Sequence, residues 1–457
     1  MTYEEFLKTK ELQTIEAGFD VPREELNINL FEFQKDIVGW ALKKGKACVF
    51  SDCGSGKTII QLEFANQIVK HTKKKALVVA PLAVVKQTQY EGKKFGIDTN
   101  ICRKQEDVKD GINIVNYEML EHFNANEFVC VVLDESSILK SFTSSTRNLL
   151  IDMFIRTPYK LCCSATPSPN DTSELANHCE FLGIMSRTEM LATYFIHDGS
   201  NTSAWRLKGH GEKMFWEWMA TWAVCVRNPA DLGYSNEGYE LPKLNIIEHI
   251  VKSKIGDYEL IAHRAESLSE RREARKESMD DRIKVAKEIV ESSDDVFIVW
   301  CDYNIESENL HKAISDSVEI VGADSPEKKA DVAMQFSNNE IKTLVSKSSI
   351  YGWGMNFQNC HEMIFCGISD SYEMFYQAVR RCWRYGQKHD VNVHIIISEK
   401  ELNVLDNIKR KQELMDTMQN NMISLMHDVT MSEIKHTTRI TTEYKPKERL
   451  ELAEWVI

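Results

Sequence analysis

The sequence lacks an excess of basic residues, paired cysteine motifs and long hydrophobic runs. Its 457 residues carry a formal net charge of −13, so any nucleic-acid site has to be a local basic groove on an acidic body. The 12 cysteines form no paired CxxC motifs and the 13 histidines show no metal-ligand spacing, which argues against a disulfide framework or a zinc site. No apolar run approaches a membrane span, and the N-terminus shows no signal pattern. We therefore expect a soluble, cytoplasmic protein.

A phosphate-binding loop is predicted at residues 51–58, which read SDCGSGKT. An apolar run precedes it and a helical pattern follows, and this strand–turn–helix context is the one that such a loop requires. The two glycines allow a tight turn whose N–H groups face a polyphosphate, and the helix N-terminus adds positive charge there. Lys57 would reach the β- and γ-phosphates, and Thr58 would offer its hydroxyl to Mg²⁺. The residues expected to bind ATP here are Gly54, Ser55, Gly56, Lys57 and Thr58.

Strands alternate with helical segments in both halves of the chain. The first series of strands is predicted at 47–50, 76–80, 112–115, 128–133 and 160–164, and the second at 296–300, 318–322, 343–346, 362–366 and 391–397. This alternation predicts parallel sheets covered by helices on both faces. The fold class is therefore α/β, with two parallel-sheet domains in tandem.

A helical insertion is expected between these domains. Tryptophans cluster in its first part. The helical spacing of Phe215, Met219, Trp222 and Val226 there is typical of a packed core face rather than a binding surface. The charged run 271–276 is either a solvated helix face or a nucleic-acid contact. The expected divisions are an N-terminal helical segment (1–30), an ATP-binding domain (31–185), the insertion (186–290), a second domain (291–400) and a helical tail (401–457).

Two acidic residues follow the predicted strand at 128–133. Asp134 suits a Mg²⁺ ion at the ATP phosphates, and Glu135 suits the general base that orients the attacking water. Ser164 and Thr166 end the next strand, and their hydroxyls could hydrogen-bond the acidic pair and sense the γ-phosphate. The alternative is a simple strand-ending turn.

The run 377–387 reads as a helix that places Arg381 and Arg384 on one face. An arginine pair from a second domain can stabilise charge on a transferring phosphoryl group, which makes hydrolysis depend on domain closure. The other interpretation is a basic helix cap or surface.

Together these motifs resemble those of the superfamily-two helicases (DEAD/DEAH-like), and within them the Swi/Snf-type branch. The resemblance runs from about residue 30 to 400, in the family's order. Besides the phosphate loop it rests on Val79-Ala80-Pro81-Leu82, Asn116-Tyr117-Glu118, Asp134-Glu135-Ser136-Ser137, Ser164-Ala165-Thr166, the loop 352–358 and the run 377–387 with its Arg-x-Gly-Gln ending. Ser136-Ser137 and Trp383 depart from the family's commoner residues. The absence of large insertions fits a compact viral or bacterial member better than a chromatin remodeller.

The resemblance implies two RecA-like domains with ATP and Mg²⁺ in the cleft between them. It implies nucleotide contacts by Gln34, which takes the place of an adenine-reading glutamine, and by Gly354 and Gln377 of the second domain. Phe19 is a further candidate for stacking on adenine. The residues implied to contact nucleic acid are Pro81, Asn116, Asn356, Arg271 and Arg272.

The function expected is an ATP-dependent translocase or helicase that moves on DNA, duplex DNA in the first place. An RNA helicase keeps the same fold, because substrate choice is not written in the ATP motifs. A third possibility is an ATP-gated clamp that binds DNA or a partner protein without productive movement. The biological pathway is open, and protein partners from replication or recombination would fit such a motor.

Overall fold

The described part of the chain, residues 17–198, 201–252, 267–351 and 355–434 of the computed structural model, is built on two parallel β-sheets. The elements up to residue 226 include the strands β1 (Lys46–Ser51), β2 (Lys75–Ala80), β3 (Thr99–Ile101), β4 (Ile112–Asn116), β5 (Phe128–Asp134), β6 (Tyr159–Ser164), β7 (Phe195–Asp198), β8 (Asn201–Leu207) and β9 (Ala223–Val226). The helices of this part are α1 (Glu32–Lys44), α2 (Lys57–Thr72), α3 (Val85–Lys94), α4 (Ser145–Met153), α5 (Leu175–Leu182), α6 (Arg187–Tyr194) and α7 (Glu212–Met219).

Seven of these strands form the first sheet in the order β3-β4-β2-β5-β6-β1-β9, and every neighbouring pair is parallel. The strands β7 and β8 form a separate antiparallel hairpin. The central strands are buried along nearly their whole length, which explains why they read as continuous apolar runs. Because all strands are parallel, the phosphate loop and the acidic pair come to the same edge of the sheet.

The second domain follows the same plan. Its strands are β10 (Leu244–Val251), β11 (Phe297–Cys301), β12 (Ser317–Ile320), β13 (Thr343–Lys347), β14 (Glu362–Cys366) and β15 (Val391–Ser398). Its helices are α8 (Leu268–Glu277), α9 (Met279–Glu291), α10 (Asn304–Ala313), α11 (Pro326–Ser337), α12 (Ser348–Tyr351), α13 (Tyr372–Val379) and the long α14 (Leu402–Ile434). The sheet order is β10-β15-β14-β11-β13-β12, again parallel throughout. The prediction of two parallel-sheet α/β domains is confirmed.

The segment 186–290 differs from the expected helical insertion, because it contributes a strand to each sheet. The strand β9 pairs with β1, and β10 pairs with β15. Both pairings join residues far apart in sequence, so local patterns carried no signal for them. The tryptophan cluster is core, as expected: Trp216 and Trp222 are among the largest fully buried side chains, although α7 ends at Met219 before the second of them.

The helix α14 runs from the end of the second domain back across the first. Asn407 at its start donates to Asp370 of the second domain (3.2 Å), and Gln419 donates to the carbonyl oxygen of Ala165 of the first (3.4 Å). Its buried face carries Met415, Met418, Met422 and Met426. Residues 435–457 of the expected helical tail and 1–16 of the expected N-terminal segment lie outside the described residues. No helix among the described residues is both long enough and apolar enough to cross a membrane.

Candidate active site at the domain interface

The phosphate loop links β1 to α2 with the backbone conformation that its glycines allow. Gly54 and Gly56 have φ values of 90° and 84°, in the left-handed region that disfavours side chains. Lys57 opens α2, and its Nζ donates to the carbonyl oxygens of Ser51 (2.9 Å) and Asp52 (3.1 Å). The lysine ammonium is therefore held by backbone carbonyl groups of the loop itself. Thr58 follows it in the same helical turn.

Gln34 of α1 supports the loop from the side. Its Nε2 donates to the carbonyl oxygen of Ser55 (2.9 Å), and its Oε1 accepts from the backbone N–H of Phe31 (2.9 Å). A Cβ atom on Gly56 would lie 2.3 Å from Gln34 Nε2, so a side chain there would displace this amide from its hydrogen bond. The structure thus places Gln34 at the loop; its reading of adenine stays a prediction.

Phe19 lies far from the loop. Its ring stacks on His71 with centroids 3.9 Å apart, and His71 is near the C-terminal end of α2, whose N-terminal end carries the loop. The prediction that Phe19 stacks on adenine is therefore wrong, because the length of α2 separates Phe19 from the phosphate loop.

Asp134 ends β5 beside the loop. Its Oδ1 accepts from Gln61 Nε2 of α2 (2.7 Å), and its carbonyl oxygen accepts from the Tyr117 hydroxyl (2.7 Å). Burial raises the pKa of Asp134, and the Gln61 hydrogen bond and the charge of Lys57 oppose that rise. The structure therefore holds this carboxylate in a fixed position that faces α2.

Glu135, the next residue, has a left-handed backbone with φ 52°, an unusual conformation for a side-chain-bearing residue. Its Oε2 is buried and has no hydrogen-bond partner in the described part of the chain. Burial raises the pKa of Glu135 to about 7, and the negative charge of Asp134 adds to the rise. The positive charges of Lys57 and Arg381 oppose it. A carboxylate that titrates near neutrality is well matched to general-base work.

Ser164 and Thr166 lie at the end of β6, which neighbours β5. Ser164 Oγ accepts from the backbone N–H of Thr166 (3.1 Å), and Thr166 Oγ1 is buried without a partner among the described residues. Ser136 instead bonds His178 (Oγ to Nε2, 3.1 Å), whose pKa burial lowers to about 4. The Ser164 hydroxyl therefore bonds within its own turn rather than to Asp134 or Glu135.

The run 377–387 is not one helix. The helix α13 ends at Val379, and the N–H groups of Cys382 and Trp383 both bond the Val379 carbonyl oxygen, so the chain turns there. Gln387 then fixes the turn, since its Nε2 donates to three backbone carbonyl oxygens at 3.0 to 3.3 Å. The prediction that Arg381 and Arg384 share a helix face is therefore wrong.

Arg380, which the sequence reasoning passed over, is the arginine that contacts the phosphate loop. Its Nη2 lies 2.8 Å from Asp52 Oδ2 and donates to the Cys53 carbonyl oxygen at 2.8 Å, and the side chain is only 1% exposed. The Tyr376 hydroxyl donates to the same aspartate. The signal available in the sequence was the Arg380-Arg381 doublet. This buried ion pair joins the second domain to the loop of the first.

Arg381 lies next to Gln377 and Glu135. It donates to Gln377 Oε1 (2.9 Å) and to the Met355 carbonyl oxygen (3.0 Å), and its charge lowers the pKa of Glu135. The Nε2 of Gln377 is buried without a partner among the described residues. Burial, reinforced by the charge of Arg381, lowers the pKa of Arg384 to about 10. Gly354 lies outside the described residues.

The positions expected to contact nucleic acid are divided. Pro81 and Asn116 are half-buried just beyond β2 and at the end of β4, two adjacent strands, and Asn356 of the second domain is exposed. Arg271, in contrast, forms an ion pair with Asp370 and packs against the second domain, while Arg272 is exposed. The run 271–276 is thus largely structural, because Arg275 is also buried and forms ion pairs with Asp302 and Glu401.

Two α/β domains with a phosphate loop in one and arginines from the other at the same cleft define a two-domain ATP-hydrolysing enzyme. Residues 33–195 match the model of the SNF2-related domain, and residues 281–386 match the helicase conserved C-terminal domain. These matches together cover more than half of the chain. The chain belongs to the Swi/Snf-type branch of the superfamily-two helicases, which are nucleic-acid-dependent ATPases and translocases.

A solved structure, the Sulfolobus solfataricus SWI2/SNF2 ATPase core in complex with dsDNA, is similar over 92% of this chain and 99% of that chain, at 16% identity and a TM-score of 0.42. No curated protein matches the sequence.

Proposed function

We propose that the protein hydrolyses ATP with Mg²⁺ in this cleft and uses the cycle to move along DNA, with duplex DNA as the preferred track. The observation that carries the proposal is the contact between Arg380 of the second domain and the phosphate loop of the first. A motor needs its ATP hydrolysis to depend on the relative position of its domains, and this contact would couple hydrolysis to that position.

The residues at the cleft fit ATP and Mg²⁺. The Asp134 carboxylate and the Thr58 hydroxyl are oxygen ligands of the kind that Mg²⁺ prefers. Glu135 Oε2, which has no partner among the described residues, is available to a water molecule. When bound, the ion would neutralise charge on the phosphates. Lys57 would bind the β- and γ-phosphates, and Arg381 would stabilise charge that develops on the γ-phosphoryl group.

Movement on DNA would use residues at the edge of both domains. Pro81, Asn116 and Asn356 are accessible to a nucleic-acid backbone, and contacts to the phosphates and sugars carry no sequence information, so we expect little sequence specificity. Membership of this family favours movement along DNA over static clamping. Glu135 and the two nearby arginines suit repeated ATP turnover rather than static binding.

The test is ATP turnover without nucleic acid and with duplex DNA, single-stranded DNA or RNA. Duplex DNA should stimulate turnover most, Lys57→Ala should abolish it, and Glu135→Gln should abolish it while ATP still binds. Substantial turnover in either variant would disprove the site assignment. Stimulation by RNA alone would point to an RNA helicase, and salt-sensitive DNA binding without stimulation would point to a clamp.

A further inference from the structure

A second polar cluster lies at the opposite end of the second sheet from the ATP cleft, where the strands begin. Asp295 precedes β11, His361 precedes β14, and Glu362 opens β14. One ligand atom from each of these three side chains lies within 4.8 Å of the other two. His361 Nε2 is 3.6 Å from Asp295 Oδ1. Three side chains that are remote in sequence thus converge on one point, which no spacing of histidines along the chain could reveal.

We propose that Asp295, His361 and Glu362 bind one divalent transition-metal ion, with Zn²⁺ as the best-matched ion. An imidazole nitrogen together with carboxylate oxygens is a donor set that zinc accepts, and the imidazole disfavours Mg²⁺. Two ionised carboxylates and a neutral histidine balance the charge of a divalent ion. In the described part of the chain, the ion-pair partners of both carboxylates are histidines rather than lysine or arginine.

Hydrogen bonds from neighbouring side chains hold both carboxylates in place. Glu362 Oε1 accepts from Asn392 Nδ2 (2.6 Å), and Asp295 Oδ2 accepts from the Ser293 hydroxyl (2.9 Å). Asp295 Oδ1 then faces His361, while Glu362 Oε2 faces His394 and keeps a further lone pair for an ion. Hydrogen bonds of this kind orient metal ligands and raise affinity.

The histidines are ordered in the same way. His394 Nε2 lies 3.3 Å from Glu362 Oε2, and its Nδ1 lies 2.9 Å from His249 Nε2. This series of hydrogen bonds makes His394 a positioning residue for the Glu362 carboxylate. The ring of His361 stacks on His389 with centroids 4.9 Å apart, which restricts its orientation.

An ion can reach the cluster from solvent. The Asp295 side chain is 44% exposed and His361 is 24% exposed, whereas Glu362 is only 11% exposed. A bound ion would link the start of β11 to the start of β14. The expected role is therefore structural, and it is separate from ATP hydrolysis.

The experiment is calorimetric titration of Zn²⁺ into chelator-treated full-length protein at pH 7.5, with excess Mg²⁺ present. We expect one equivalent to bind despite the Mg²⁺. Asp295→Asn and His361→Asn should lose this binding, and His394→Gln, which acts through Glu362, should weaken it by about 10- to 100-fold. The control is His122→Asn, at an exposed histidine of the first domain, which should bind as the wild type does.

Co²⁺ provides a second measurement, because its visible spectrum reports coordination by nitrogen and oxygen. Circular dichroism in chelator separates loss of a ligand from loss of folding, and a variant that is folded but silent supports the site. Absence of a zinc equivalent in the wild type would overturn the proposal. Equal zinc affinity in folded His361→Asn and wild type would do the same, since the ion would then sit elsewhere.

Discussion

The pKa of Glu135 gives the enzyme a pH dependence whose size follows from the structure. Burial raises this pKa to about 7, so the carboxylate is half ionised at pH 7. About one tenth is ionised at pH 6 and about nine tenths at pH 8, so kcat/KM should rise about tenfold between them and then level off. This ratio reports the free enzyme, which is the state that the structure describes.

Arg381 provides the sharper form of this prediction. Its positive charge lowers the pKa of Glu135, so Arg381→Gln should move the midpoint of the kcat/KM profile to higher pH as well as slow the reaction. The assay is steady-state ATP turnover from pH 5.5 to 9 at constant ionic strength. Arg272→Gln, at an exposed arginine outside the cleft, is the matched control and should leave the midpoint unchanged.

A wild-type midpoint near the ordinary glutamate value, or a midpoint that Arg381→Gln leaves in place, would refute the reasoning. Thermal unfolding offers an independent check. A carboxyl group whose pKa is raised by folding costs stability as pH rises from its unfolded value through about 7. Glu135→Gln should therefore unfold at a higher temperature than wild type at pH 8, and the two should coincide near pH 4.

Other substitutions test the interface and the cores. Arg380→Met leaves Asp52 buried without its cation and should cut nucleic-acid-stimulated kcat at least tenfold. Adding Asp52→Asn should restore part of this kcat, and additive losses in the double-mutant cycle would contradict the coupling between the two residues. Gly56→Ala forces a side chain into a left-handed backbone against a glutamine amide, so ATP affinity measured by a fluorescent analogue should fall, and wild-type affinity would contradict the close contact. Arg282→Met removes the cation of a fully buried pair with Glu306 and should cost about 3–5 kcal/mol of unfolding free energy in urea; a cost below about 1 kcal/mol would contradict that burial.

What could be predicted from the sequence was whatever neighbouring residues decide. The apolar run at 128–133 and the phosphate loop carry their own local signals, and both appear where expected. The strand β9 could not be predicted, because only its pairing with β1 makes it a strand. The choice of Arg380 over its neighbours depends on where α13 ends, which tertiary hydrogen bonds set.

The course of α14 has a mechanical consequence. The chain passes between the domains in the segment 227–243 and again through α14, which spans 33 residues, or about 50 Å. Because the domains are connected at two places, we expect rotation about the line joining these connections to be the easiest motion of one domain relative to the other. The flexible methionine side chains along α14 can re-pack as that angle changes. We therefore expect this double connection to limit how the two domains can rotate and separate during the proposed ATP cycle.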